Sequence, residues 1–555
     1  MKKTVQVFLF SCLYFSLEAQ VPPFPSAIPE PGIFPGAGDA AIALRYLDWA
    51  EKELALGRTA EALAALERGA DYQDASSDIS YLLALVRSRA GRSRFLVLEG
   101  CRLALETMRW ARYSPEDARI LEAQTLTELR NFEEALRALQ NCEQEAYETY
   151  YWKCRALRGL ELDGEFRRNL ALIMERFPRR PEPVRLLFDY AAGKEGDGET
   201  RLLLDTALRR LPVLIEGDPE LAYRAAPFIW EKDQARRYVA AYRALGNPNP
   251  ASLPAALNLG LAEGSAAVEE LLGPELDRDL VTAVQALLRD AGERKALGQG
   301  LSYFSGVITE DADHDGIVEA RTLYEKGLLK EYGYDADQDG VADIRVFFVQ
   351  GQPSWALVGM QEGADPAFPL KGETKKWLRL WWERYPAVLH SEFEDRRYTP
   401  RPLDYFYTPL RFIPLVEGGP DYPLRRAPPP VLTERSLLAS AAILEQPSQA
   451  FAGGRERIEL YEGVPVKSWV HRDGKTVAET EFSEGRPLIQ RLDLDMDGRI
   501  ETVRRFSAAR PYSMVLSESD WDGDGIFEYA ETFQEDGTVK KSWDLDKDGI
   551  KETEQ

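Results

Sequence analysis

The sequence predicts a multidomain α + β protein: an N-terminal α-solenoid of helix-turn-helix repeats, followed by antiparallel β-meander regions whose hairpins carry acidic loops. Three observations support this prediction. Apolar residues recur every three or four positions through the first half of the chain, and turn signals there recur at 34-residue intervals. In the second half apolar and polar residues alternate, which is typical of strands. One acidic nine-residue pattern occurs five times between these alternating segments.

The first residues have the features of an export signal. Lys2 and Lys3 precede the apolar run Val5–Leu17, which is too short to span a bilayer. We expect a signal peptide over 1–19, with cleavage after Ala19, and a Pro-rich tether over 20–38. An alternative is a lipoprotein anchored at Cys12. Either reading exports the chain across the cytoplasmic membrane, to the periplasm, the cell envelope or the medium, and no other segment is predicted to span a membrane.

Residues 39–295 are predicted to be helical throughout. Gly57 and Gly91 are 34 residues apart, and so are Gly164 and Gly198, which suggests equivalent turns between helices. Counting back 34 residues from Gly164 gives Arg130, just before another helical segment, and only the step from Gly91 to Arg130 is longer, at 39 residues. A constant period favours a solenoid over an irregular helical bundle.

This period resembles that of the tetratricopeptide repeat, over about six units. The small residue in the second helix of that repeat is matched by Ala62 and Ala135, and the large apolar residue that follows is matched by Leu66 and Leu139. Pro181 matches the terminal proline. Three residues depart from the repeat, namely Tyr46, Arg119 and Asn169. The resemblance implies a superhelix that binds a protein partner. Because of the three departures, it does not imply which residues of the binding groove would contact that partner.

The C-terminal half divides into three predicted regions. β-Hairpins with two acidic loops occupy 296–349, with strands expected over 317–324, 328–334 and 341–349. An aromatic and Pro-rich mixed region occupies 350–454, where we expect short strands broken by Pro and one helix near 434–444. An antiparallel meander with three acidic loops occupies 455–555. Turns of a meander alternate between the two ends of the sheet. By that count all three loops of the last region lie at one end, together with the plain turn at Asp473, and successive ions would be roughly 10 Å apart.

Each acidic loop has the pattern Asp-x-Asp-x-Asp-Gly-x-x-(Asp or Glu), numbered one to nine from its first Asp. We expect side chains one, three, five and nine and the carbonyl of residue seven to bind a cation, while Gly at six allows the sharp turn. So many oxygen ligands favour Ca²⁺, with up to five structural ions. The predicted ligands are Asp311, Asp313, Asp315, Ile317, Glu319; Asp335, Asp337, Asp339, Val341, Asp343; Asp493, Asp495, Asp497, Arg499, Glu501; Asp520, Asp522, Asp524, Ile526, Glu528; and Asp544, Asp546, Asp548, Ile550, Glu552.

The loop resembles the EF-hand calcium loop in its first seven positions. An EF-hand has a Glu at position twelve and flanking helices, whereas position twelve here is Thr322, Val346, Arg504, Glu531 or Gln555. The acid at position nine and the flanking strands resemble the calcium hairpins of FG-GAP repeats more closely. The resemblance implies ion binding at the matching positions, but the units are too short for propeller blades of four strands.

Composition narrows the function classes. A net charge of −23 argues against a nucleic-acid partner. The chain has three His residues and no nucleophile, phosphate-loop or metalloprotease motif, so we predict no enzyme activity. Three cysteines remain after processing, too few for a disulfide framework.

We therefore predict an exported, non-enzymatic scaffold with structural calcium hairpins and a protein partner on the solenoid. The alternative is a carbohydrate- or peptidoglycan-binding envelope protein, with a glycoside hydrolase as its enzymatic variant, that uses the aromatic 350–450 region and binds a cell-wall glycan. Trp377 and Trp381, four residues apart, are expected to lie on one buried stripe of a helix rather than on a binding platform.

Overall fold

A computed structural model describes residues 39–72, 76–142, 146–194, 197–246, 248–360, 376–401, 410–425, 432–507 and 513–554. The predicted signal peptide, the tether and Cys12 lie outside the described residues. The chain divides into two compact units: the first contains residues 1–343, 368–373 and 412–424, and the second contains the rest of the chain.

The first unit begins with a long series of antiparallel helix pairs. The helices are α1 (Asp39–Ala55), α2 (Thr59–Ala70), α3 (Ser77–Arg89), α4 (Arg94–Thr107), α5 (Pro115–Glu128), α6 (Phe132–Gln140), α7 (Tyr147–Gly159), α8 (Asp163–Arg176), α9 (Glu182–Ala191), α10 (Gly198–Gly217), α11 (Leu221–Arg224), α12 (Lys232–Arg243), α13 (Leu253–Asn258), α14 (Gly264–Leu271), α15 (Arg278–Leu287) and α16 (Ala291–Leu301). From α1 to α14 consecutive helices pack against each other, as the helical-repeat prediction requires, whereas α15 packs on α13 and α16 packs on α14.

The helix pairs bury the residues that the repeat pattern singled out. Ala62, Leu66 and Ala135 are fully buried, and Leu139 is nearly so. Small residues allow close helix contacts: the ring of Phe132 in α6 lies over Gly159 in α7, where a Cβ atom would come within 2.3 Å of it. Any larger residue at 159 would therefore have to displace Phe132.

The turns inside the helix pairs lie only partly where the 34-residue period predicted them. The left-handed residues at these turns are Gly57, Gly91, Arg130, Glu161 and Gly193. Arg130 was predicted correctly, but the predicted Gly164 and Gly198 lie within the first turn of α8 and α10. The spacing is therefore irregular, at 34, 39, 31 and 32 residues. The prediction failed because a Gly in the first turn of a helix cannot be told from the Gly of the preceding turn by its spacing alone.

Four strands follow in the first unit. They are β1 (Glu275–Asp277), β2 (Gly306–Glu310), β3 (Ala320–Glu325) and β4 (Leu328–Tyr334). β2, β3 and β4 form an antiparallel meander, as predicted. β1 lies inside the segment that was predicted to be entirely helical, so that prediction was wrong at these residues. β1 also pairs with β2 in parallel, whereas only antiparallel pairs were predicted.

The second unit is an antiparallel meander with one helix, α17 (Glu434–Ser440). Its strands are β5 (Ile344–Val349), β6 (Gln352–Met360), β7 (Lys376–Arg384), β8 (Ala387–Phe393), β9 (Arg396–Pro400), β12 (Ala441–Pro447), β13 (Arg455–Tyr461), β14 (Val464–Arg472), β15 (Lys475–Ser483), β16 (Arg486–Leu492), β17 (Thr502–Phe506), β18 (Met514–Ser519), β19 (Tyr529–Phe533), β20 (Val539–Trp543) and β21 (Thr553–Glu554). β10 (Leu410–Pro414) and β11 (Asp421–Arg425) form a separate two-stranded sheet, most of which belongs to the first unit through residues 412–424. In the second unit β9 pairs with β12, and from β12 to β21 every strand pairs with the next.

The aromatic region is β-structure with one helix, α17, which confirms the short strands and the helix expected there but shows that the helical spacing assigned to Trp377 and Trp381 was wrong. Both residues lie on β7, which pairs with β6 and β8. A spacing of four keeps two residues on one side of a helix, but it also keeps them on one face of a strand. Trp382, on the opposite face of β7, is the buried member of this group.

Candidate metal-binding loops

Each of the five acidic patterns forms the loop between two strands that are consecutive in the chain. The loops are named by their first residue: the Asp311 loop (311–319), the Asp335 loop (335–343), the Asp493 loop (493–501), the Asp520 loop (520–528) and the Asp544 loop (544–552). Strands flank every loop, which separates them from EF-hands. The strands begin after position nine, so the predicted strand starts at Ile317 and Val341 were a few residues early.

The first Asp of each loop holds the sharp turn closed. One of its carboxylate oxygens accepts a hydrogen bond from the N–H of the Gly at position six, over 2.8–2.9 Å in all five loops. These glycines have φ between +88° and +99°. That backbone conformation is costly for other residues, which explains why the pattern requires Gly.

The acid at position nine ties the two ends of the loop together. One of its oxygens accepts a hydrogen bond from the N–H of residue two, over 2.6–3.0 Å, again in all five loops. Asp three and Asp five each accept from the N–H two residues further on, at 2.7–3.3 Å. These bonds shape the backbone of the loop. In three loops the first Asp uses both of its oxygens for this, because Oδ1 of Asp311, Asp335 and Asp520 also accepts a backbone N–H.

Carboxylate oxygens from the same acids converge at the centre of the loop. In the Asp311, Asp493, Asp520 and Asp544 loops, one ligand oxygen from each of positions one, three, five and nine lies within 4.8 Å of the others. In the Asp335 loop the converging group is Asp335, Asp337 and Asp339, without the predicted Asp343. Asp at position nine is one methylene shorter than the Glu of the other loops, which accounts for its shorter reach.

Two loops contain buried carboxylate oxygens that lack a hydrogen-bond partner. These atoms are Oδ1 of Asp493, Oε1 of Glu501 and Oδ1 of Asp544. Asp493 is 5% exposed and Asp544 is 2% exposed. An unpaired buried carboxylate oxygen is unfavourable. A cation at the centre would satisfy these atoms, so the residues fit a metal ion.

Burial also perturbs the protonation of several loop acids. It raises the pKa of Asp311, Asp315 and Glu319, and it raises the pKa of Glu501, to which Asp495 and Asp493 contribute further. Carboxylates held together in this way resist ionisation, and a bound cation would relieve the repulsion.

Successive loops are linked to each other through the backbone. The N–H of Asp335 donates to the carbonyl of Glu319 (2.9 Å), that of Asp520 to Glu501 (2.8 Å), and that of Asp544 to Glu528 (2.8 Å). The N–H of Asp493 donates to Val477, in the strand after the plain turn at Asp473. These bonds and the antiparallel order agree with the predicted alignment of the three C-terminal loops at one end of the sheet.

The residue at position four shares one backbone conformation in all five loops, which the sequence pattern does not predict. This residue is left-handed in every loop, although only one of the five is Gly: His314, Gln338, Met496, Gly523 and Lys547 have φ between 54° and 73°. Two of these side chains reach the acids of the preceding loop. Nε2 of Gln338 donates to Oε1 of Glu319 (2.6 Å), and Nζ of Lys547 contacts Asp522, Asp524 (2.7 Å) and Glu528 (3.2 Å).

Arginines of the helical repeats hold the two loops of the first unit. The backbone N–H of Arg94 donates to the carbonyl of Asp339 (2.8 Å), and its guanidinium donates to the carbonyl of Gln338 (2.6 Å). Arg155 donates to the carbonyl of Asp315 (2.6 Å), and Arg130 pairs with Asp313 (2.9 Å). Three successive repeats therefore contact the loops, in the same compact unit.

The three histidines have ordinary structural surroundings. His314 is largely exposed at position four, with Nδ1 3.5 Å from Asp279. His471 Nδ1 lies 3.1 Å from the Thr476 hydroxyl. His390 ends a ladder of stacked rings that runs across β5 to β8 through Phe347, Trp355 and Trp381, with centroid separations of 3.9, 5.6 and 5.9 Å. The ladder rings pack their faces on one another.

Comparisons with known proteins identify a relative but no family. No family model matches the chain. An uncharacterized protein of Treponema pallidum is 24% identical over 617 aligned positions, covering 90% of this chain and 77% of the relative.

Solved structures similar to the helical part are tetratricopeptide-repeat proteins. One from Parabacteroides merdae is 15% identical, with a TM-score of 0.33, and covers 46% of this chain and 98% of its own. YrrB, described as having an unusual peptide-binding site, is 17% identical with a TM-score of 0.27, covering 31% and 87%. MamA from Desulfovibrio magneticus is 16% identical with a TM-score of 0.26, covering 31% and 93%.

Proposed function

We propose that this chain is an exported, non-enzymatic interaction protein whose acidic hairpin loops hold structural Ca²⁺ and whose helical repeats bind a protein partner. One observation carries the metal part of the proposal: five loops with different neighbours share one hydrogen-bond scheme, which holds acidic oxygens together at the centre of each loop. An acidic surface turn needs no such repeated convergence.

Calcium is the cation that this donor set fits best. The converging side chains are all carboxylates, which disfavours Zn²⁺ and copper. Four side chains and a carbonyl of residue seven supply more protein ligands than Mg²⁺ commonly takes, since Mg²⁺ retains several waters. Free Ca²⁺ outside the cytoplasm is high enough to fill sites with Kd of about 10⁻⁴ to 10⁻³ M. Constant filling makes the ions structural rather than regulatory.

The metal test is calorimetric titration of the full chain after removal of metal. We expect heat from several Ca²⁺ sites, a weaker response to Mg²⁺, and Ca²⁺ binding that survives equimolar Zn²⁺. If an excess of Ca²⁺ produced no heat of binding and no change in the melting temperature of the protein, the proposal would be refuted.

Helical repeats support the protein-binding part because stacked repeats present an extended surface suited to protein partners. The described helices include none long and apolar enough to cross a membrane. Crosslinking the intact chain in its native cells, followed by mass spectrometry, should recover peptides of one partner attached to α1–α16. Crosslinks spread evenly over both units would count against a dedicated binding surface.

Export is tested separately by determining the mature N-terminus. Cleavage after Ala19 gives a free N-terminus at Gln20, whereas the lipoprotein alternative leaves a lipid-modified Cys12. An intact Met1 in the native protein would refute both.

A further inference from the structure

The Asp520 loop already contains a cation from its own chain. The ammonium of Lys547, residue four of the next loop, contacts the acids at positions three, five and nine of the Asp520 loop, with 2.7 Å to Asp524 and 3.2 Å to Glu528. These are three of the four side chains that would hold a metal ion there. The hydrogen bonds from the Lys547 ammonium lower the pKa of Asp522 and of Asp524.

The Asp493 loop shows what happens where no such side chain is present. Its next loop has Gly523 at position four, which offers no side chain to the acids before it. The unpartnered buried oxygens of Asp493 and Glu501 belong to this loop. In the Asp311 loop the corresponding residue is Gln338, a neutral amide bonded to Glu319.

We propose that, where one acidic loop directly follows another, residue four of the later loop sets the cation affinity of the earlier loop, and that Lys547 is a tethered competitor of Ca²⁺ in the Asp520 loop. This inference rests on the proposed calcium function. Lys547 and a divalent ion cannot share one set of acids, so metal binding must release the ammonium. Lys547 keeps the Asp520 loop closed without metal and makes it the weakest of the three C-terminal sites, whereas Gly523 leaves the Asp493 loop open to the ion.

Release of Lys547 is sterically easy, because its side chain is 35% exposed. The cost of metal binding is therefore the loss of several partly exposed ion pairs. Each such pair contributes modestly, so their combined loss corresponds to a reduction in Ca²⁺ affinity of about tenfold.

The test replaces Lys547 in the full chain and titrates the metal-free protein with Ca²⁺. Lys547→Gly copies the arrangement around the Asp493 loop and suits the left-handed backbone. Lys547→Gln copies Gln338. The matched control is Lys551→Gln, because Lys551 is bonded to the carbonyl of Phe527 in the same Asp520 loop, and its loss changes the net charge equally.

Both Lys547 variants should raise the affinity of one site about tenfold by calorimetry, while the control changes it less than about twofold. Terbium luminescence excited through tryptophan gives a second readout, since Trp521 is residue two of the Asp520 loop. Adding Asp522→Asn to Lys547→Gln should abolish the gain; a gain that persists lies at another loop and overturns the inference.

Two failures are distinguishable. If the parent chain binds Ca²⁺ but the Lys547 variants match Lys551→Gln, the inference is wrong and the proposed function stands. If the parent chain and all variants bind no Ca²⁺, the proposed function and the inference fall together.

Discussion

Changing Asp493 to Asn should shift the stability of the protein in opposite directions with and without calcium. The side chain is nearly buried; Oδ2 accepts the N–H of Gly498 (2.9 Å), and Oδ1 has no partner. Asn keeps one oxygen for Gly498 and removes a buried, uncompensated negative charge. Without metal we therefore expect a stabilisation of about 1 kcal/mol, the lower end of the penalty for an unsatisfied buried polar group.

With calcium the same substitution removes a ligand and points an amide donor at the ion. A site filled at 100 times its Kd contributes about 2.7 kcal/mol. Losing that contribution, set against the gain of about 1 kcal/mol, leaves a net loss of roughly 1.7 kcal/mol. For a domain of 150–250 residues this corresponds to a melting temperature about 2–4 °C higher than the parent in EDTA and about 3–7 °C lower in Ca²⁺.

The assay is thermal unfolding of the full chain in EDTA and in Ca²⁺ at about 100 times the Kd found by titration. The matched control is Asp473→Asn, in the plain turn at the same end of the sheet, where the side chain is 81% exposed. The control should move the melting temperature by less than about 2 °C in both solutions. A shift of the same sign in both solutions for Asp493→Asn would show that this Asp serves only the turn.

Three further outcomes are expected. Burial, and to a lesser extent Arg397, lower the pKa of His390. The neutral ring therefore stabilises the fold above pH 6.5, and this stabilisation is lost as the pH falls. The variant His390→Gln should show a smaller decrease in melting temperature between about pH 7.5 and pH 5 than the parent chain. Arg94→Ala should cost about 1–3 kcal/mol and speed hydrogen exchange in residues 335–343, and unchanged exchange would contradict the role of this arginine. Gly498→Ala meets no atom within 4 Å, so its cost of about 1–2 kcal/mol should come from backbone strain alone, and a neutral change in EDTA would contradict it.

The parts of the fold that follow from short-range alternation could be predicted from the sequence. The strand Leu328–Tyr334 has the predicted bounds, because a Gly-containing turn precedes it and an acidic loop follows it. The alternation of turns placed the Asp493, Asp520 and Asp544 loops together. Each of these inferences needs only the neighbouring residues and the geometry of an antiparallel pair.

The wrong predictions concern residues whose spacing fits two alternatives, either a helix or a strand, or two possible positions of a turn. Trp377 and Trp381 satisfy both a helical and a strand spacing, and only the pairing of β7 with its neighbours decides between them. Gly164 kept the 34-residue period, but the left-handed residue is Glu161 three positions earlier. A helix start tolerates Gly without requiring it, so a Gly alone does not locate the turn.

The contacts of the residue at position four cannot be predicted from the sequence of its own loop. Side chains one, three, five and nine face the centre of their own loop, so the same acid types recur there. The residue type at position four varies from loop to loop, and the side chains of Gln338 and Lys547 contact the acids of the preceding loop. Successive loops are two strands, roughly 10 Å, apart, and a lysine side chain covers much of that distance. Once the turn count had placed the loops side by side, a basic residue at position four was therefore the one sequence signal for the contact between Lys547 and the Asp520 loop.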